Sequence, residues 1–385
     1  MTPETDLASR WLGGTVVAAS DESFGEKENL LNPAPAAFEP GHYGPRGEIV
    51  DGWETRRRRS PGHDWVIIRL GAPGVISSFD VDTSFFTGNF PQAVSLQACG
   101  CEGYPGPDEL TGPATSWEPI APLTALSGDR HNILKVTSTS RFTHVRLAAH
   151  PDGGIARLRV LGRVVPDPRG LEGLTIDLAS QAYGGSVVVA SDDFYTSADH
   201  LNRPDRARTM GEGWETRRRR DGGPDHVLFR LAFRGVVRRI VIDTAHFRYN
   251  ASAEVALRGS AGDTPGADPQ AWPPLLGRTV LQPDTRHEFT SQYEQPVSLV
   301  RLDAFPDGGL SRVRLIGSVE PEARRTAGYR WFNSLPAAQA LQCLQGIALE
   351  ADLARELAAR RPLAEGWPRE DRYEALAAML EGRPR

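Results

Sequence analysis

An eight-residue block, Gly52-Trp53-Glu54-Thr55-Arg56-Arg57-Arg58-Arg59, returns unchanged as Gly213-Trp214-Glu215-Thr216-Arg217-Arg218-Arg219-Arg220. The same spacing carries Asp64, Val66, Arg69 and Leu70 onto Asp225, Val227, Arg230 and Leu231, Asp82-Thr83 onto Asp243-Thr244, and Asn89 onto Asn250. Other blocks recur at shifted spacings, as loop insertions produce. Gly13 to Asp21 answers Gly184 to Asp192, Arg130-His131 answers Arg286-His287, and Pro151-Asp152-Gly153-Gly154 answers Pro306-Asp307-Gly308-Gly309. The block order is the same in both halves, so the chain is a duplicated domain of ordinary size. This sets domains at 1–165 and 170–320, followed by a segment at 330–385.

Each copy reads as β. Trp65 to Leu70, Val75 to Val81, His144 to Leu147 and Arg157 to Leu161 are short, rich in β-branched residues or alternating, and the second copy matches them. Gly, Pro and Asp interrupt at short intervals, with turns expected at Gly71-Ala72-Pro73-Gly74 and at Asp152-Gly153-Gly154. Many short strands with frequent turns favour a sandwich or jelly roll over a helix-covered parallel sheet. The tail differs. A linker is expected near Val319 to Gly328, a helix start at Asn333-Ser334, helix from Ala337 to Leu357, a break at Gly366-Trp367-Pro368 and helix again from Asp371 to Leu380.

Composition narrows the function. Lys plus Arg is 44 against 49 for Asp plus Glu, a net charge of −5. With so short a basic block, that balance argues against binding nucleic acid, which needs an extended basic surface. The three cysteines, Cys99, Cys101 and Cys343, make no disulfide framework. The polar opening, Met1 to Arg10, lacks the apolar core of a signal peptide, and no apolar run is long enough to span a membrane. The expected setting is cytoplasmic.

The chemistry-bearing residues are those that repeat. If the arginine block is a strand, Glu54, Arg56 and Arg58 share one face and Arg57 and Arg59 the other. Adjacent cations repel unless anions answer them, and Glu54, Asp51, Asp82 or a bound ligand are the candidates. A planar guanidinium suits a carboxylate ligand, so Arg56, Arg58, Arg217 and Arg219 are candidate binding residues. Glu54, Glu215, His131, His287, Asp82 and Asp243 are candidate acids and bases, against structural roles as arginine partners, strand residues and turn formers. Asn89 and Asn250 are candidate hydrogen-bonding groups, and Asp152 and Asp307 sit in turns that also have the means to face a ligand. No metal motif appears. A divalent metal ion held by carboxylates from separate loops stays open, with Asp21-Glu22 and Asp192-Asp193 as positions for it.

Together the repeated arginine block, the Pro-Asp-Gly-Gly block and the duplicated layout resemble the allantoicase family, over residues of roughly 10 to 320. The resemblance implies two jelly-roll β-sandwich domains similar to galactose-binding modules. It also implies hydrolysis of allantoate to ureidoglycolate and urea in purine breakdown, and a homo-oligomer, hexameric where described. Phe332 to Pro336 and Ala358 to Leu363 resemble the opening of the ureidoimidazoline decarboxylase family. That match stops short of the family's catalytic histidine, so it implies a remnant or a packing element. The competing reading is a non-catalytic jelly-roll module for a small anion or a carbohydrate.

Overall fold

The computed structural model describes residues 4–45, 47–264, 268–347, 349–365 and 373–382. The chain forms two compact units. One holds Glu4–Val165 with Phe332–Pro362; the other holds Pro166–Trp331 with the described residues from Leu363 on.

In the first unit the repeating strands are β1 (Thr5–Asp6), β2 (Thr15–Ala19), β3 (Trp53–Glu54), β4 (Asp64–Asp82), β5 (Ala93–Cys99), β6 (Glu118–Ala125), β7 (His131–Lys135), β8 (Arg141–His150), β9 (Gly154–Ile155) and β10 (Arg157–Val164). A short helix, α1 (Pro107–Thr111), follows β5. The second unit repeats the order as β11 (Thr175–Asp177), β12 (Ser186–Ala190), β13 (Trp214–Glu215), β14 (Asp225–Asp243), β15 (Glu254–Ser260), β16 (Pro274–Val280), β17 (Arg286–Thr290), β18 (Val297–Phe305), β19 (Gly309–Leu310) and β20 (Arg312–Val319).

The long strand organises each unit. Residues 66–69 of β4 lie between β2 and β8, whereas residues 78–82 lie between β7 and β10. One strand therefore serves two layers, which is how the sandwich closes. In the second unit β14 does the same, with β12 and β18 along its first half and β17 and β20 along its second. The turn expected at Gly71 to Gly74 is not a turn. The glycines are there for close approach: a Cβ on Gly71 would strike Leu12 and Gly14, and one on Gly74 would strike the Arg163 carbonyl. Strand pairing to β8 skips this stretch, from Gly74 to Arg69, and the backbone there donates from Gly71 and Ala72 to the Leu7 carbonyl instead.

Inward side chains alternate along these strands. Trp53, Ile68, Phe79, Val145 and Leu158 are fully buried in the first unit, as are Trp214, Phe229, Ile240, Val300 and Val313 in the second. Both tryptophans also satisfy their indole N–H, Trp53 on the Asp21 carbonyl and Trp214 on the Asp192 carbonyl, each at 2.8 Å. Cutting either to alanine costs about 3–5 kcal/mol by the usual measure of a deleted core aromatic.

The tail is helical, with boundaries that differ from the sequence reading. The expected linker is already helix: α2 spans Pro321–Ser334. Asn333-Ser334 is its end and not a start. Helices α3 (Ala337–Gly346) and α4 (Ala351–Ala359) are separate, because the glycine ends the first. Helix α5 covers Glu374–Leu380. Gly366-Trp367-Pro368 and Asp371 lie outside the described residues. No helix among the described residues is long and apolar enough to cross a membrane.

Candidate functional site

The repeated block is a strand for only two residues. Trp53-Glu54 pairs with Gly154-Ile155, and Trp214-Glu215 with Gly309-Leu310. The arginines that follow join no ladder, so strand alternation does not sort them. Their backbone N–H groups find carboxylates instead. Arg56 donates to Asp21 at 2.8 Å and Arg58 to Asp152 at 2.7 Å. Arg217 donates to Asp192 and Arg219 to Asp307, both at 3.2 Å.

The side chains divide by burial. The Arg58 guanidinium meets the buried Asp64 at 2.8 Å, and Arg219 meets Asp225 at the same distance. Ser20 and Ser191 donate to the same oxygens of those aspartates. Arg56 is open, with 71% of its side chain exposed, and touches Asp21 only at 3.5 Å. Arg217 is similarly open, 2.9 Å from Asp192 and stacked under Phe194. Asp51 and Asp82 do not answer the block. Asp51 pairs with the buried Arg157.

Glu54 accepts from the Asn89 amide at 2.7 Å, and Glu215 from Asn250 at 2.6 Å. Burial pushes the Glu54 carboxyl above its ordinary value, partly offset by the Asn89 hydrogen bond. Burial also pushes up on Asp21 and Asp192, but the N–H donors and arginines beside them win, so both are held below the usual carboxylate range. The turn at Asp152-Gly153-Gly154 fixes this geometry. Gly153 adopts φ 134°, its N–H reaches Thr55, and Gly154 donates to the Asn89 carbonyl. Around the second arginine block lies a depression of about 540 Å³, walled by Ser191, Asp192, Arg217, Arg219 and Asp225 among others.

Thus contacts bring together Glu54, Asn89, Arg56, Arg58 and Asp152 with Asp21 and Asp64, and the second copy repeats the set. Sequence reasoning missed Asp64 and Asp225 as part of it, although their repetition in register was the available signal. Asp82 and Asp243 are not in this set. They accept from Ser84 and Ala245 and close the turn after the long strand.

The two histidines are not equivalents. Strand pairing sets His131 opposite Asp82, but sets Arg286, not His287, opposite Asp243. His287 takes the place of Asn132: each accepts a backbone N–H across its turn, from Gln282 and Ser127 respectively. The match of Arg130-His131 to Arg286-His287 was one residue out of register, which turns a side chain to the opposite face of a strand. His131 is open to solvent, 2.9 Å from Asp80.

The carboxylates considered for a metal ion are engaged. Asp21 accepts from Ser23 and Arg56, Glu22 pairs with Lys27, and Asp193 caps Ala198. Among the described residues no three His, Cys, Asp or Glu side chains are grouped to hold a metal. These carboxylates are spent on hydrogen bonds and ion pairs within the fold.

The fold and site define a duplicated β-sandwich protein with a carboxyl–amide pair followed two residues on by an open arginine in each copy. The family model of the allantoicase repeat matches residues 5–165 and 176–320. A "Probable allantoicase" of Streptomyces coelicolor is 47% identical over 341 residues, covering 85% of this chain and 89% of that one. A "Probable allantoicase" of Nocardia farcinica is 49% identical over 316 residues, covering 82% and 94%. The crystal structure of allantoicase from Saccharomyces cerevisiae is 34% identical with a TM-score of 0.69, covering 82% of this chain and 93% of that one. The chain belongs to the allantoicase family, a family of hydrolases acting on allantoate. Helices α2 to α5 lie beyond the matched residues.

Proposed function

We propose that the protein hydrolyses allantoate at these two sites, with Glu54 and Glu215 moving the proton in each. The observation that carries this reading is the Glu54–Asn89 pair at 2.7 Å, duplicated as Glu215–Asn250, with an open arginine two residues along the chain from each glutamate. Arg56 and Arg217 are free enough to take the substrate carboxylate, whereas Arg58 and Arg219 are committed to buried aspartates and hold the block in place.

The central carbon of allantoate carries a carboxylate and two ureido groups. As its bond to one ureido nitrogen breaks, the protonated Glu54 gives its proton to that nitrogen and urea leaves. The lone pair of the second ureido nitrogen fills the vacated position as a C=N bond. Water then adds to the carbon, and the Glu54 carboxylate takes the proton that water gives up. The sum is allantoate plus water to ureidoglycolate plus urea, with the glutamate restored. One group acts first as acid and then as base, for which a pKa lifted by burial is suited.

Urea release by the wild-type protein and by the E54Q/E215Q double variant tests this. Turnover is expected in the first and its loss, by a factor of about 10²–10⁴, in the second. A double variant with full turnover removes both glutamates from the mechanism. The homo-oligomer, hexameric where the family is described, is carried to this chain on the resemblance, and the cytoplasmic setting on its three cysteines, which make no disulfide framework. Light scattering on the purified protein measures the first, and fractionation of the cells that make it the second.

A further inference from the structure

Strand pairing lets one face of the long strand be compared between copies. In the first unit Asp80 and Asp82 on β4 are flanked by Arg159 and Arg157 on β10, and by Ile133 and His131 on β7. In the second unit the same places hold Val241 and Asp243 on β14, Arg314 and Arg312 on β20, and Glu288 and Arg286 on β17. The second copy thus has Val241 for Asp80, Arg286 for His131 and Glu288 for Ile133, which moves a carboxylate off the long strand and adds a permanent guanidinium.

The first face is answered from within. Asp80 and Asp82 both reach His131, Asp51 pairs with Arg157, and Asp6 stands 3.9 Å from Arg159. The second opens into a cavity of about 470 Å³ whose lining includes Arg206, Arg286, Arg312, Arg314, Asp243 and Val241. That volume lies within the roughly 300–1,000 Å³ range of small-molecule sites. Two of its arginines are held rigidly. Arg312 donates to the Asp205 carboxylate at 2.7 Å and to the Asp205 and Glu212 carbonyls. Arg314 donates to the Asp205 carbonyl at 2.7 Å, with Asp177 at 3.6 Å. Arg286 pairs with Glu288. Arg206 is exposed and has no ion pair or hydrogen bond among the described residues. Asp243 spends one oxygen on the Ala245 N–H. Four guanidinium groups therefore face two lining carboxylates, Asp205 and Asp243, and the apolar Val241 stands where the first copy has its competing acid.

We infer that this cavity of the second copy binds a small carboxylate anion, apart from the arginine block and without a counterpart in the first copy. Preset, planar guanidinium donors suit a carboxylate, and Arg206 supplies the one not already engaged. The inference does not depend on which residues carry hydrolysis.

Oxamate, a small carboxylate carrying an amide, is the probe, titrated calorimetrically into the full-length protein. One binding event is expected to weaken by about tenfold or more in R206Q, because Arg206 is exposed and makes no ion pair or hydrogen bond among the described residues. V241D, which rebuilds the first copy's acid, is expected to abolish the same event. R56Q/R217Q is expected to keep it. An isotherm unchanged by R206Q overturns the inference, as does loss of the event in R56Q/R217Q, or no binding to the wild type at roughly 10 mM oxamate. Urea release is measured on the same samples. R206Q is expected to retain it, so a failure here is distinguishable from a failure of the hydrolytic reading.

Discussion

Asn89 donates its amide to the Glu54 carboxylate at 2.7 Å, and Asn250 does the same to Glu215 at 2.6 Å. Because the two copies make the same contact, each site is expected to work alone. E54Q and E215Q should each keep about half of wild-type turnover with little change in KM, while the double variant loses nearly all of it. Steady-state urea release from the three variants checks this. A single variant as dead as the double one assigns the chemistry to one copy.

The pH dependence follows from the sign of the Glu54 shift. Burial raises its pKa above 4.5, so the acid form persists to higher pH than in a free glutamate. Turnover that needs the protonated form should fall as pH rises through the folded pKa. Asn89 lowers that pKa by bonding the carboxylate, so N89A should move the falling limb to higher pH. The same sign governs stability. Glu54 supports the fold fully below its unfolded pKa and less as pH rises through the raised folded value, so E54Q should flatten that part of the profile of Tm against pH.

Much of this was legible in the sequence, for a physical reason. Glu54, Asn89 and Asp152 were legible because each repeats where its partner repeats, although Glu54 and Asn89 stand 35 residues apart and Arg58 reaches Asp152 across 94. What was not legible depended on register or on backbone contacts. Gly71 to Gly74 read as a turn because close backbone approach leaves the same glycine signature as a reversal. His287 was matched to His131 by its neighbour Arg286, and only the ladder shows that the strand is offset by one. The pairing of Asp21 with Arg56 runs through a backbone N–H, which any residue carries, so no side-chain pattern announced it.

His131 offers a second titration, with the opposite consequence for mechanism. The hydrogen bond that His131 donates to Asp80 raises its pKa above 6.5, with burial opposing. The charged pair supports the fold below the unfolded pKa, and that support is lost as pH rises through the folded one. His131 is 63% exposed, so the pair is screened and worth well under about 1 kcal/mol. H131A should therefore change Tm little at pH 8 and slightly more at pH 6, and should leave urea release unchanged. A loss of turnover in H131A would bring this face into the reaction.

The arginines of one block should behave differently. Arg56 is exposed, so R56A is expected to raise KM for allantoate at the first site while costing under about 1 kcal/mol of stability. Arg58 neutralises Asp64, whose second oxygen is buried without a hydrogen-bond partner among the described residues. R58A leaves that carboxylate uncompensated and should cost about 2–3 kcal/mol, less than a fully buried pair because Arg58 keeps partial access to water. Chemical denaturation of the two variants beside their kinetics separates the roles. Equal loss of stability in both would mean that Arg56 is structural as well.

The asparagine that holds the second glutamate depends in turn on a glycine. A Cβ on Gly309 would sit against the Asn250 carbonyl oxygen and crowd the Ala251 Cα, with backbone on both sides and no flexible side chain to yield. G309A must therefore push the Asn250 segment away from β19, breaking the Asn250–Glu215 contact. Overpacking of this kind costs about 1–3 kcal/mol. The first site is built from its own loops, so the variant should fold, keep about half of the wild-type turnover and resemble E215Q rather than the double variant. Combining G309A with E54Q should then abolish urea release, because the displaced asparagine no longer sets the proton donor that the second site needs.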